Sequence, residues 1–263
     1  MDGSCEGGIT NAGTPWGLFP YALDTLSYAL TPEIKNILII GLGAGMNATI
    51  SSKRGVKVDV VEIDPEVVNI YKKYFSSYGD AKNIRIFTSD GRIFIKQGKS
   101  KYDAILMDVF LGDSWPWHLL TREAFGELKK RLTDKGVLVL NFIADPQDAD
   151  SKTIVSAIHK TLLEVFPQVS LFNSHGTING DIQNIYFAAS PNKALFILPT
   201  HLSFPQHFLG DLQKILADRV DTPEDPAFLL TDDYNPIEFY TAKTQEIKRK
   251  LNLQTAAKNI YLY

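Results

Sequence analysis

The sequence predicts an α/β protein built on an open, mostly parallel sheet with helices on both faces. From Asn36 onward, short apolar runs of strand length alternate with segments of helical period. Most of these runs are apolar on both faces, as strands covered from two sides must be. Alternation of this kind implies right-handed β–α–β crossovers.

The first run, Asn36 to Ile40, is β-branched, bounded by Gly41 and preceded by Pro32 in a turn-like stretch. Further strands are expected at residues 56–61, 84–87, 104–107 and 137–142. Between them, Asp64 and Pro65 open a helix carrying Val67, Val68, Tyr71, Tyr74 and Phe75 at helical spacing. Thr121 opens a second, with Phe125, Leu128 and Leu132 on one face. A third, residues 154–166, has the stripe Ile154, Ile158, Leu162 and Val165. Residues 169–172 and 184–189 flank a turn-rich stretch, 173–181, and are expected to pair antiparallel and close the sheet.

Residues 36–200 therefore form one Rossmann-like core. Residues 1–35 are a glycine-rich arm with no clear period before Leu23. Residues 201–263 read as a helical extension broken by Pro205, Pro223, Pro226 and Pro236. A chain of 263 residues buries most of its apolar surface without staples. Its single cysteine, Cys5, excludes an internal disulfide framework and a Cys-rich zinc site. A net charge of -3 argues against nucleic acid as a partner. No apolar run reaches the roughly 18–20 residues of a membrane span, and the start is not a signal peptide. A soluble, cytoplasmic protein is expected. Lys248-Arg249-Lys250 reads as a solvated helix face.

Four features fall at carboxyl ends of predicted strands, where open α/β sheets place their ligands. Gly41-Leu42-Gly43-Ala44-Gly45 leads from strand to helix; Gly41, Gly43 and Gly45 allow a tight turn and close approach of a ligand, or serve packing alone. Glu62 follows 21 residues after Gly41, the place for an acidic group that accepts both ribose hydroxyls, or for a polar strand end. Asp90, before Gly91, can accept from an adenine amino group, cap a helix, or do both. Asp108 closes the fourth strand. A pyrophosphate dinucleotide prefers G-x-G-x-x-G, whereas this turn reads G-L-G-A-G-M. The ligand expected is an adenosyl sulfonium, S-adenosylmethionine or its decarboxylated form.

The stretch from Ile37 to Phe142 resembles the spermidine synthase (polyamine aminopropyltransferase) family. The resemblance is carried by Val60-Val61-Glu62-Ile63-Asp64-Pro65-Glu66-Val67-Val68, Ser89-Asp90-Gly91-Arg92, Tyr102-Asp103-Ala104-Ile105-Leu106-Met107-Asp108, Leu119-Leu120-Thr121-Arg122-Glu123-Ala124-Phe125 and residues 132–138. Residues 230–238, including Asp232 and Asp233, resemble a bacterial branch often fused to membrane segments. The resemblance implies the Rossmann-like fold of S-adenosylmethionine-dependent methyltransferases, with seven strands. It implies transfer of an aminopropyl group from decarboxylated S-adenosylmethionine to an amine such as putrescine, releasing 5′-methylthioadenosine. Glu62 would hold the ribose, Asp90 and Gly91 the adenine, and Asp108 the attacking amine. Tyr21 falls where the family carries a substrate-side tyrosine. Asp113, Asp232 and Asp233 are further carboxylates for a diamine, each also readable as a turn or cap residue. No metal is expected, and a homodimer is.

Three positions depart from the family pattern. Ala44 stands where the family's G-G-G-D-G-G turn has aspartate, Asn179 where it has an acceptor-binding tyrosine, and Glu6 where it has glutamine. The strands of the family's N-terminal β-domain are nearly all missing. The chain is thus also readable as the soluble portion of a longer, membrane-anchored protein. Methyl transfer from S-adenosylmethionine and non-catalytic nucleoside binding stand as alternatives. Trp115-Pro116-Trp117-His118 reads as the wall of an acceptor pocket or a packed surface loop; His159, His175, His201 and His207 show no metal spacing.

Overall fold

The computed structural model describes residues 8–109, 115–179, 182–197, 199, 204–220 and 228–260. Two short strands, β1 (Gly8–Ile9) and β2 (Pro15–Trp16), pair antiparallel ahead of α1 (Phe19–Leu30). The alternating core follows: β3 (Asn36–Ile40), α2 (Met46–Lys53), β4 (Lys57–Glu62), α3 (Pro65–Tyr74), β5 (Ile84–Thr88), α4 (Gly91–Gln97), β6 (Tyr102–Met107), α5 (Arg122–Arg131), β7 (Leu132–Ala144) and α6 (Ala149–Leu163). After it come β8 (Gln168–Asn179), β9 (Ile182–Ser190), α7 (Leu209–Ala217), β10 (Arg219–Val220) and α8 (Ile237–Ile260).

The sheet runs β10-β8-β9-β7-β6-β3-β4-β5. Strands β7, β6, β3, β4 and β5 are parallel neighbours, whereas β9 runs antiparallel between β7 and β8. Seven strands answer to the expected sheet, and β10 adds two residues at its edge, antiparallel to β8. Alternate residues of β3 enter different cores. Leu38 and Ile40 pack with Phe125, Leu128, Ile158 and Phe166; Ile37 and Ile39 pack with Leu23, Leu26 and Tyr71. A fully buried Leu, Ile or Phe side chain contributes about 1.5–3 kcal/mol, so this two-sided burial is what holds the strand ends in place.

Two helices and two strands extend further than the sequence pattern suggests. Helix α1 begins at Phe19, and every residue from Pro20 to Leu30 is buried. Its first turn, Phe19 to Ala22, lies ahead of the Leu23, Leu26 and Leu30 spacing that marks the rest of the helix. It packs against β7, α2 and α7, so part of the 1–35 arm lies within the core layers. Helix α6 starts at Ala149, where Asp148 Oδ2 accepts from Ser151 N at 3.0 Å. Strands β8 and β9 continue through much of the stretch expected to turn, with Thr177 opposite Gln183 and Asn179 opposite Ile182.

Candidate active site

Hydrogen bonds between strand ends bring the predicted residues to one edge. Gly41 N donates to Val61 O (2.9 Å), Ser89 N to Glu62 O (2.9 Å) and Asp108 N to Ile40 O (3.1 Å). The ends of β3, β4, β5 and β6 are thereby level. Gly41 has φ +95, and a Cβ there would collide with the backbone carbonyl of Asp108, so the turn packs directly on the backbone that follows β6. Gly45 caps α2 at φ +73 against the Tyr71 ring. Gly43, at φ +50, faces open space.

Half-buried Glu62 ties this turn to the next strand. Its Oε2 accepts from Leu42 N and its Oε1 from Asp64 N, both at 2.9 Å. Each oxygen keeps a further lone pair, so the carboxylate is fixed and still able to accept. Asp64 in turn caps α3 through Glu66 N at 2.8 Å.

Asp90 serves the cap considered from sequence: its Oδ1 accepts from Ile93 N at 2.9 Å, and its Oδ2 lies 3.0 Å from His118 Nε2. Gly91 answers a packing need, since a Cβ there would sit 2.9 Å from Ile40 Cγ2. Behind this cap, Arg92 gathers three parts of the chain. It pairs with Glu127, donates to His118 O at 2.6 Å, and meets both oxygens of Asp232 at 3.1 and 3.0 Å. Burial pulls the guanidinium down, but hydrogen bonds to Asp232 and Glu127 and their charges outweigh it and hold Arg92 above its ordinary range. The hydrogen bond from Arg92 holds Asp232 below the usual carboxylate range, with Thr121 Oγ1 adding a donor at 2.6 Å.

Asp108 occupies the edge beside the glycine turn. Asn141 Nδ2, from β7, donates to its Oδ1 at 3.0 Å, and Asn47 Nδ2, from α2, lies 3.4 Å from its Oδ2. Tyr186, directly opposite Asn141 across β7 and β9, is fully buried. Burial pushes its phenol far up, and the Asp108 charge adds to the shift. Three buried polar atoms around this carboxylate, Asn47 Oδ1, Asn141 Oδ1 and Tyr186 OH, have no hydrogen-bond partner.

A spermine/spermidine synthase domain matches residues 22–194, well over half of the chain. The chain belongs to the spermine/spermidine synthase family. It is 39% identical over 160 residues to a polyamine aminopropyltransferase of Vibrio vulnificus, covering 58% of this chain and 53% of that protein. Among solved structures, a probable spermidine synthase from Corynebacterium glutamicum superposes with a TM-score of 0.62 at 18% identity, over 89% of this chain and 80% of that one. A spermidine synthase in complex with the transition-state analogue AdoDATO gives 0.57 at 18% identity, over 79% of this chain and 87% of that one. These likenesses show the fold. The chain spans about half the length of the curated relatives it matches.

Other residues singled out from the family pattern sit elsewhere. Tyr21 is buried in α1, donates to Pro15 O at 3.1 Å and packs on Phe208. Asp232 is engaged by Arg92 and Thr121, while Asp233 is exposed next to it. Asp113, Glu6 and the side chain of Asn179 lie outside the described residues. The Trp115–His118 run divides: Trp115 is buried and stacked on Phe142 at 4.2 Å, Trp117 is exposed, and His118 reaches Asp90. Among the described residues no group of three metal-ligating side chains converges, and no helix is long and apolar enough to cross a membrane. Asn47, Asn141 and Tyr186 beside Asp108 are not singled out by the sequence, and the contacts of Arg92 and His118 around Asp90 are not foreseen by it. Asn141 had a signal, a lone polar residue in an apolar strand.

Proposed function

We propose that the protein is an aminopropyltransferase that takes decarboxylated S-adenosylmethionine and an amine such as putrescine. The observation that carries this is Asp108, an anchored carboxylate in backbone contact with the glycine turn that would cradle the adenosyl group. The fit of a nucleoside is supported by Gly43, open where a ligand would approach, and by Glu62, whose fixed oxygens retain lone pairs for a ribose diol. Asp90, held by its cap and by His118, would accept from the adenine amino group. The AdoDATO complex of a structural relative supports the same class of ligand.

The sulfonium supplies an electrophilic carbon, the first of the aminopropyl chain. The nitrogen lone pair forms a C–N bond to that carbon as the C–S bond breaks and its electrons return to sulfur. The attacking nitrogen has by then given up one proton, so the products are a secondary ammonium and neutral 5′-methylthioadenosine. An alkylammonium has a pKa near 10, so freeing its lone pair at pH 7 costs roughly 4 kcal/mol. Asp108 would orient the nitrogen, accept or relay its proton, and stabilise the charge that develops. The names of the relatives favour aminopropyl over methyl transfer.

The test incubates the protein with decarboxylated S-adenosylmethionine and a panel of amines and assays methylthioadenosine by mass spectrometry. Asp108→Asn is expected to lower kcat at least 100-fold while leaving methylthioadenosine affinity within threefold. Release of S-adenosylhomocysteine from S-adenosylmethionine, with no methylthioadenosine from the decarboxylated form, would replace this reading with methyl transfer.

A further inference from the structure

Six buried side-chain atoms among the described residues lack a hydrogen-bond partner; two belong to the asparagines that donate to Asp108, and a third to Tyr186, which faces one of those asparagines across the sheet. A carboxylate only accepts, so each asparagine must present its Nδ2 to Asp108 and turn its Oδ1 away as an acceptor. Asn47 and Asn141 are 7% and 2% exposed, and Tyr186 is fully enclosed. Unpaired polar atoms are expensive in a buried setting, and three beside one carboxylate mark a place built for a partner rich in donors. Asp108, Asn47 and Asn141 together offer oxygen acceptors on three side chains, matching the three N–H groups of a primary ammonium. The Tyr186 hydroxyl, on the residue facing Asn141, can accept as well as donate.

We propose that Asn47, Asn141 and Tyr186 are specificity-determining residues for the acceptor, and that with Asp108 they seat its primary ammonium. This rests on the aminopropyl-transfer reading above. Secondary and tertiary amines bring fewer N–H groups and leave acceptors unpaired. An alcohol brings one, and an anion meets the Asp108 charge.

Calorimetry on the full chain loaded with methylthioadenosine, titrated with 1,4-diaminobutane and its N,N′-dimethyl and N,N,N′,N′-tetramethyl forms, reads the seat without turnover. The unsubstituted diamine is expected to bind at least tenfold more tightly than the tetramethyl form. Asn47→Leu and Asn141→Leu should each reduce that preference to threefold or less while leaving methylthioadenosine affinity unchanged. Tyr186→Phe removes an oxygen that has no partner, so a merely structural role predicts an unchanged or raised Tm and unchanged amine binding. The seat predicts the same Tm with amine affinity lowered at least fivefold. Where an asparagine variant loses nucleoside binding through misfolding, Tyr186→Phe decides. Wild-type amine preference in Tyr186→Phe and in the folded asparagine variants would overturn the assignment. Diamine binding with the expected variant losses but no methylthioadenosine release would sink the transfer reading and leave the seat standing.

Discussion

His118 Nε2 lies 3.0 Å from Asp90 Oδ2, while the other oxygen of the same carboxylate caps α4 at Ile93 N. One side chain thus holds a helix terminus and presents an acceptor oriented from outside the helix. The two duties separate by substitution. Asp90→Asn keeps a competent cap, so its stability is expected within about 0.5 kcal/mol of wild type, whereas Asp90→Ala loses about 1 kcal/mol. Both should weaken methylthioadenosine binding about tenfold by calorimetry. His118→Ala should weaken it about three- to tenfold, the worth of one hydrogen bond, with little change in Tm.

The glycines of the turn divide in the same way. Gly41→Ala places a methyl group against the Asp108 carbonyl at a positive φ, and a loss of at least about 2 kcal/mol in denaturant unfolding is expected. Gly43→Ala meets open space, so the backbone conformation alone costs about 1–2 kcal/mol. Its larger effect is expected on nucleoside affinity, because the open side of Gly43 is where the ligand would lie.

Glu62 joins two turns through Leu42 N and Asp64 N. Glu62→Ala leaves both donors without their acceptor, and a stability loss of about 1–3 kcal/mol is expected together with loss of nucleoside binding. Glu62→Gln keeps one acceptor oxygen and should retain most of the stability while still binding nucleoside poorly.

The Arg92–Asp232 pair carries an acid-sensitive share of stability. Because the folded-state pKa of Asp232 is lowered, its contribution is complete above the ordinary carboxylate value near 4 and is lost as pH falls through the lowered one. Asp232 is 45% exposed on its side chain, so water screens the pair to about 0.5–1 kcal/mol. Asp232→Asn should show that deficit in urea unfolding at pH 7, and the deficit should shrink below about pH 4.

Much of the sheet and its working edge was legible because two-sided burial writes long β-branched runs. The caps at Asp64 and Thr121 were readable for a related reason, since each side chain accepts from a backbone N–H two or three residues along. Helix α1 was hidden as far as Leu23 because its first turn, with Pro20 near its start, precedes the leucine spacing, and β8 ran on past Asn173 because the backbone there still pairs across the hairpin. Glu62, Asp90 and Asp108 could be placed because strand ends order them along the chain. The neighbours of Asp108 could not. Asn47, Asn141 and Tyr186 come from α2, β7 and β9, and only the crossing order of the sheet brings them to one carboxylate. The role of Asp232 depended likewise on Arg92, 140 residues earlier.

That span has a consequence for a chain made from its N-terminus. Strands β3 to β6 can assemble from local crossovers, and contacts close in sequence form early. The guanidinium behind the Asp90 cap, however, meets Asp232 only after some 140 further residues have been synthesised. Until then Arg92 has Glu127 as its carboxylate and lacks the second one that holds its other edge. Competence to hold a nucleoside should therefore arise late on the ribosome, when the segment around Asp232 emerges and fastens the rim.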